Sequence, residues 1–154
     1  MSESKIRLLV DADACPVKDE VVRVADRHAL AVILVSNAWM RGPDHPLVQR
    51  ILVPSGPDAA DDRIADEATE NDIVITNDIP LAARCIEKGA KVLRPNGKAI
   101  DQNSVGMAVA MRDLSAHLRE TGEITGGPAA FTPRDRSRFL DALENAVQAQ
   151  KKRK

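Results

Sequence analysis

Two cysteines, one tryptophan, two phenylalanines and no tyrosine in 154 residues leave this chain short of the side chains that staple or stack a small protein. Cys15 and Cys85 are too few and too far apart for a disulfide framework or a thiolate zinc site. With only Trp39, Phe131 and Phe139, the stacking platform typical of single-strand nucleic-acid binders is thin. The longest strongly apolar stretch, Ala29 to Val35, is far too short to cross a bilayer. The opening residues MSESKIRLLVDAD hold no basic region followed by a long apolar core, so no secretion signal is read there. These absences predict a cytoplasmic protein with no membrane partner. Charge of one sign is missing too, because the net charge is −1, and the molecule as a whole is no electrostatic magnet for nucleic acid.

What remains is ordinary globular material, 44% apolar and 29% charged, which argues against disorder. A chain this long buries roughly two thirds of its unfolded surface in one domain. We expect one domain over residues 1–150 and a basic tail, KKRK, over 151–154. The charge is unevenly spread. From Val109 to Lys154 there are nine Lys or Arg against six Asp or Glu, a net of +3 that leaves −4 for the residues before it. An acidic site flanked by a basic C-terminal region that meets phosphates is therefore possible on charge grounds, although short terminal charge runs are commonly solvated tails.

The first two thirds alternates between strand and helix patterns. Strands are expected at Lys5 to Val10, Ala31 to Val35, about Val48 to Val53, Asp72 to Thr76 and Lys91 to Leu93, the apolar and β-branched runs. Helices are expected at Pro16 to His28, Asp58 to Glu70 and Pro80 to Lys88, with Pro16 at a favoured first-turn position and Asp58 as a cap. Between them SNAWMRGPDHP reads as a loop. Ser104 to Thr121 looks helical, GEITGGPAAFTP is a Gly/Pro loop, and Arg134 to Ala149 is a last helix begun by Thr132 and Pro133. The expected fold is a three-layer α/β architecture around a central, mostly parallel sheet of about five strands, with C-terminal helices added. Its order should put the first strand beside the fourth.

Three acidic clusters punctuate this pattern: VDADACP, PDAADDRIA and IVITNDIPLA. Asp11 and Asp13 end the first strand, and their spacing of two would aim both the same way if the strand continued. Asp61 opens a helix and shares a face with Ile64, Ala65 and Ala68, beside the buried stripe. Asp62 is turned away from it by about 100°. Asp78 follows the IVIT strand directly. Each acid taken alone also reads as a helix cap, Asp13 and Asp78 included. Together they converge on one sheet edge, the place where α/β folds build sites. Carboxylates gathered there repel one another unless some protonate or a hard cation joins them.

In order and spacing, VDADACP, DAADDRIA, IVITNDIPLA and GGPAAF resemble the YaiI/YqxD family of bacterial proteins over almost the whole chain, and that family in turn resembles the PIN-like nuclease superfamily. The resemblance implies a parallel α/β sheet and an acidic site binding Mg²⁺ or Mn²⁺ for phosphodiester hydrolysis. By motif, Asp11 matches the acid closing the first strand, Asp61 the acid of D-x-x-I-A, and Asp78 the acid of T-x-D. These three would be catalytic metal ligands, with Asp13 and Asp62 completing the ligand set or orienting bound waters. PIN nucleases carry a further acid, commonly Glu, before the D-x-x-I-A helix. Here His28 to Pro57 holds no Glu and one Asp, Asp44, so Asp13 or Asp62 substitutes or one metal binds more weakly. Arg112, Arg119 and Arg134 are the candidates for phosphate contact, since planar guanidinium forks suit phosphate; each also reads as an ordinary helix ion-pair partner. RNA, recognised by backbone or shape, is the favoured substrate over DNA.

Two other functions fit parts of the sequence. A non-catalytic PIN-like module could hold RNA or a protein, which the missing Glu favours. An aspartyl-nucleophile phosphatase would use Asp11 for attack and Asp13 as the acid, but Cys15 stands where such sites carry Thr or Val, and the DAADDRIA helix has no part in that chemistry. Cys15 itself, next to a helix start, reads as a small buried residue. His28, His45 and His117 show no metal-ligand spacing and read as structural. Trp39 reads as a core cover or an anchor.

Overall fold

A computed structural model of the chain describes residues 6–37, 45–54, 58–107, 110–111 and 131–152. Its elements run β1 (Arg7–Asp11), α1 (Lys18–His28), β2 (Ala31–Ser36), β3 (Val48–Leu52), α2 (Ala59–Glu67), β4 (Asp72–Ile75), α3 (Ile79–Glu87), β5 (Lys91–Leu93), β6 (Ala99–Ile100) and α4 (Pro133–Lys152), with a 3-10 turn over Ala12–Ala14 directly after β1. One sheet has the order β3-β2-β1-β4-β5-β6. All pairings from β3 to β5 are parallel, and β5 with β6 is antiparallel. This is the expected three-layer α/β fold with β1 beside β4, plus one short strand.

The central strands are apolar on both faces because both are covered. Leu8 and Val10 of β1, Val32 and Leu34 of β2, and Ile73 and Ile75 of β4 face Val21 and Val24 of α1 and Phe139, Leu143 and Val147 of α4. The alternate residues Leu9, Ile33, Val35, Val74 and Val92 face Ile64 and Ala65 of α2 and Leu81, Ala82 and Cys85 of α3. Phe139, Leu143 and Val147 recur every fourth residue, an inward stripe, and each is fully buried. Burial of a side chain of this kind contributes roughly 1.5–3 kcal/mol.

Several boundaries differ from expectation for local reasons. The last helix is capped reciprocally: the Thr132 N–H donates to Asp135 Oδ2 at 3.0 Å and the Asp135 N–H to Thr132 Oγ1 at 3.1 Å, a capping box. It runs on to Lys152, past the expected Ala149. The first helix starts at Lys18 with Val17 as its N-cap, so Asp13 does not cap it. The α2 helix stops at Glu67 because the Thr69 N–H and hydroxyl bind Asp72 Oδ2 instead, at 2.9 and 3.1 Å, and draw the chain into β4. Asp58 holds the N-cap position of α2 but its side chain makes no cap hydrogen bond. The unexpected β6 depends on a hairpin turn in which Gly97 has φ +90°. Of the expected helix Ser104 to Thr121, residues 104–107 and 110–111 are helical, and the helix begins two residues earlier, at 102; the rest lies outside the described residues, as do Trp39, Asp44 and His117. Among the described residues no helix is long and apolar enough to cross a membrane.

Candidate functional site

Parallel pairing puts the carboxyl ends of β1, β2, β4 and β5 along one edge. Asp11 is the last residue of β1, in register with Val35 of β2. It keeps the parity of Leu9, so it belongs to the α2/α3 side of the sheet. Thr76, Asn77 and Asp78 follow β4, and Asp61 lies in the first turn of α2. Thr76 ties these pieces together. Its buried hydroxyl donates to Asp11 Oδ2 at 2.9 Å and accepts the Asp78 N–H at 2.9 Å. The Asp78 carboxylate caps α3, accepting the Leu81 N–H through Oδ1 at 3.0 Å. The Thr76 hydroxyl and the Leu81 N–H thus each occupy one carboxylate oxygen, on Asp11 and on Asp78.

Asp61 meets the pair from α2. Its pKa is pushed up to about 7, first by burial, then by the charges of Asp78 and Asp11 and by a hydrogen bond with the Asp78 carboxyl. Two carboxyls can share a hydrogen bond only while one keeps its proton. Burial also raises the Asp11 pKa; the Thr76 hydroxyl pulls it down, and Asp13 and Asp78 raise it further. The structure thus brings together Asp11, Asp61 and Asp78 as an electrostatically strained group. Among the described residues no three Asp, Glu, His or Cys side chains stand close enough together to hold a metal ion as they are placed.

The other acids lie differently. Because β1 ends at Asp11 and a 3-10 turn follows, Asp13 swings toward β2, where its two oxygens accept the Asn37 N–H at 3.3 and 3.2 Å. Asp62 leaves α2 on another side and pairs with Arg84 of α3 at 2.8 Å, both about half exposed. Arg112 and Arg119 lie outside the described residues, and Arg134 is exposed in the first turn of α4. Its neighbour Arg136 is committed: it bonds the Pro16 carbonyl at 3.1 Å and Glu20 at 2.8 Å, and sits 5.2 Å from the Phe131 ring centre. Cys15 is buried, and burial raises its thiol pKa, which opposes nucleophilic use. His28 and His45 contact Glu144 and Asp26 at 2.8 and 3.0 Å.

Sequence reasoning missed Thr76 as the bridge, although a hydroxyl two residues before a capping Asp was the available signal. It also passed over Arg94, whose Nε donates to Asn77 Oδ1 at 3.1 Å next to Asp78.

Fold and site together define a class: a mostly parallel α/β protein with a carboxylate cluster at the carboxyl edge of its two central strands. The family described as "Uncharacterized BCR, YaiI/YqxD family" matches residues 9–149, and the chain belongs to that family. Similar proteins include a UPF0178 protein of Parvibaculum lavamentivorans, 60% identical over 146 residues that cover 95% of this chain and 96% of the relative. Another is the UPF0178 protein of Rhodopseudomonas palustris strain TIE-1, 56% identical over 147 residues, 96% of this chain and 93% of that one. A UPF0178 protein of Nitrobacter winogradskyi is 58% identical over 142 residues, covering 92% and 90%. No solved structure matches the chain significantly.

Proposed function

We propose that this protein is a divalent-metal-dependent nuclease of PIN-like type that hydrolyses phosphodiesters, RNA in preference to DNA, with Asp11, Asp61 and Asp78 as the ligands of Mg²⁺ or Mn²⁺. One observation carries the reading: Asp11, Asp61 and Asp78 come from three separate elements, and burial together with the charges of Asp78 and Asp11 pushes the Asp61 pKa up to about 7. A cation at that point relieves what otherwise needs a proton. The donor set is oxygen alone, which suits hard ions and excludes a thiolate or imidazole site.

When bound, such ions polarise the scissile phosphate and supply a water of lowered pKa. The chain's own residues hold the geometry. Thr76 fixes the Asp11 rotamer and the Asp78 backbone in one chain of hydrogen bonds. Asp78 is held by its cap to Leu81, and Asp13 pins the start of the segment after β2 through Asn37. Asp13 is the nearer candidate to supplement the ligand set, because Asp62 is engaged by Arg84.

Two measurements test this. Mn²⁺ should raise the melting temperature of the parent by binding the native state preferentially, and Asp11→Asn should abolish the rise. Labelled RNA should be cut by the parent and left intact by Asp78→Asn, a variant that keeps the helix cap because Asn caps as well as Asp. Protein that binds Mn²⁺ yet leaves single-stranded, structured and double-stranded RNA and DNA all intact is instead a non-catalytic RNA-binding module. The absence of any Glu between His28 and Pro57 favours that second reading.

A further inference from the structure

Along the carboxyl edge, the charge changes sign one strand beyond the acids. The Thr76 N–H donates to the Leu93 carbonyl at 3.1 Å, so the chain leaving β5 passes directly beside the loop that carries Asp78. The next residues form a tight turn, with the Arg94 N–H to Lys98 O at 2.8 Å and the Gly97 N–H to Arg94 O at 2.9 Å. That turn presses on α4. A Cβ at Gly97 would stand 2.8 Å from the Arg138 carbonyl carbon and oxygen, and φ there is +90°, so only glycine allows the approach. Asn96, Gly97, Lys98, Asp135 and Arg138 consequently line one cleft of about 440 Å³.

We propose that this cleft, together with Arg94 on the same turn, is a subsite for the backbone phosphates of single-stranded RNA, contacted by Arg94, Lys98 and Arg138. It rests on the reading of the acidic centre as an RNA site. None of the three cations is held by a carboxylate as closely as four other arginines are, and the one ion pair among them, Arg138 with Asp135, is long. Arg7, Arg27, Arg84 and Arg136 each touch a carboxylate at 2.8 Å. Arg138 is 60% exposed and stands 4.0 Å from Asp135, whose Oδ2 already caps α4. Lys98 is exposed, and Arg94 uses one guanidinium donor on Asn77, a neutral partner. Neighbouring strands are about 4.8 Å apart, so Arg94, bonded to Asn77, stands about one strand width from the Asp78 loop, while Lys98 and Arg138 lead from there toward α4 on the other face of the sheet. A carboxylate centre repels a polyanion, and cations next to it offset that repulsion and align the strand.

The test is fluorescence anisotropy with a labelled oligouridylate in EDTA, where nothing is cut, over a series of KCl concentrations. Against the parent, Arg94→Gln/Lys98→Gln/Arg138→Gln should bind at least about tenfold more weakly, and its log affinity against log salt should flatten by about 2, near 0.7 for each lost phosphate contact. Arg23→Gln, an exposed cation on α1, should change neither. If losing the Asn77 contact disturbs folding, Lys98→Gln/Arg138→Gln should still flatten the slope by about 1.4. Unchanged affinity and slope in the variants overturn the subsite even where the parent cuts RNA. A parent that fails to bind RNA at any salt overturns it as well. Binding that needs the three cations, without hydrolysis in Mn²⁺, upholds the subsite and removes only the nuclease activity.

Discussion

The two ends of the parallel sheet treat the same side chain in opposite ways. At the amino end Asp72 is completely buried and fully answered: Arg7 donates from Nε at 3.0 Å and from Nη2 at 2.8 Å, and Thr69 adds its N–H and hydroxyl at 2.9 and 3.1 Å. Arg7 also bonds the Glu67 carbonyl at 2.9 Å, tying α2 to β1. At the carboxyl end Asp11, Asp61 and Asp78 receive a hydroxyl, one another and a cap N–H, and among the described residues no cation pairs with them. The comparison separates a carboxylate answered within the chain from carboxylates left to strain against one another, where the proposed function places its cation. A buried acid used for stability needs its counter-charge in the chain.

Breaking the satisfied end should have the largest effect. Arg7→Ala strands a buried carboxylate, and removal of one partner from such a pair costs about 3 kcal/mol, to be measured by urea denaturation. The same variant should keep the Mn²⁺-induced rise in melting temperature if the two ends are independent.

The strained end should respond in the reverse direction. Asp61 has a folded pKa raised above the usual carboxyl value to about 7, so between about pH 4 and 7 the folded state binds more protons than the unfolded one, and metal-free stability falls as pH rises through that window. Asp61→Asn should flatten this fall and make the metal-free protein more stable at pH 8 by on the order of 1 kcal/mol, a figure reduced for solvent screening. Parallel slopes for parent and variant in denaturation at pH 4, 6 and 8 would mean that Asp61 is not strained.

Thr76→Val tests the bridge between Asp11 and Asp78. Loss of one buried hydrogen-bond partner should cost about 1 kcal/mol and shrink the Mn²⁺ response, read in the same thermal-shift assay. The smallest effect belongs to Asp62→Ala, which removes an exposed pair with Arg84 and should change stability by less than about 0.5 kcal/mol. A collapse of the Mn²⁺ response in that variant would bring Asp62 back into the ligand set.

How far the site could be read in advance depended on the range of the contact that makes it. Asp11 and Asp78 were legible because a parallel sheet obliges both strand ends to share an edge, whatever the side chains do. Asp61 was legible because its position relative to Ile64 and Ala65 follows from helical repeat alone. The direction of the Asp13 carboxylate was not, since a 3-10 turn after Asp11 breaks the strand alternation and turns it to the Asn37 N–H. Nor was the Asp62–Arg84 pair, which depends on how α2 and α3 are set against each other. Arg94, Lys98 and Arg138 were passed over for a similar reason: Arg138 meets the turn only through the close approach at Gly97.

By itself the sequence determined the layers, the parallel order around β1 and β4 and the edge on which the acids collect, because apolar periodicity and chain direction act locally and repeat. Only the tertiary structure decided which acids raise one another's pKa, which one is withdrawn into an ion pair, and that Asp72 finds Arg7 across 65 positions of chain. Those outcomes turn on distances of a few ångströms between elements remote in sequence. Coulomb and hydrogen-bond energies change steeply over such distances, while the residue pattern that sets the layers scarcely registers them.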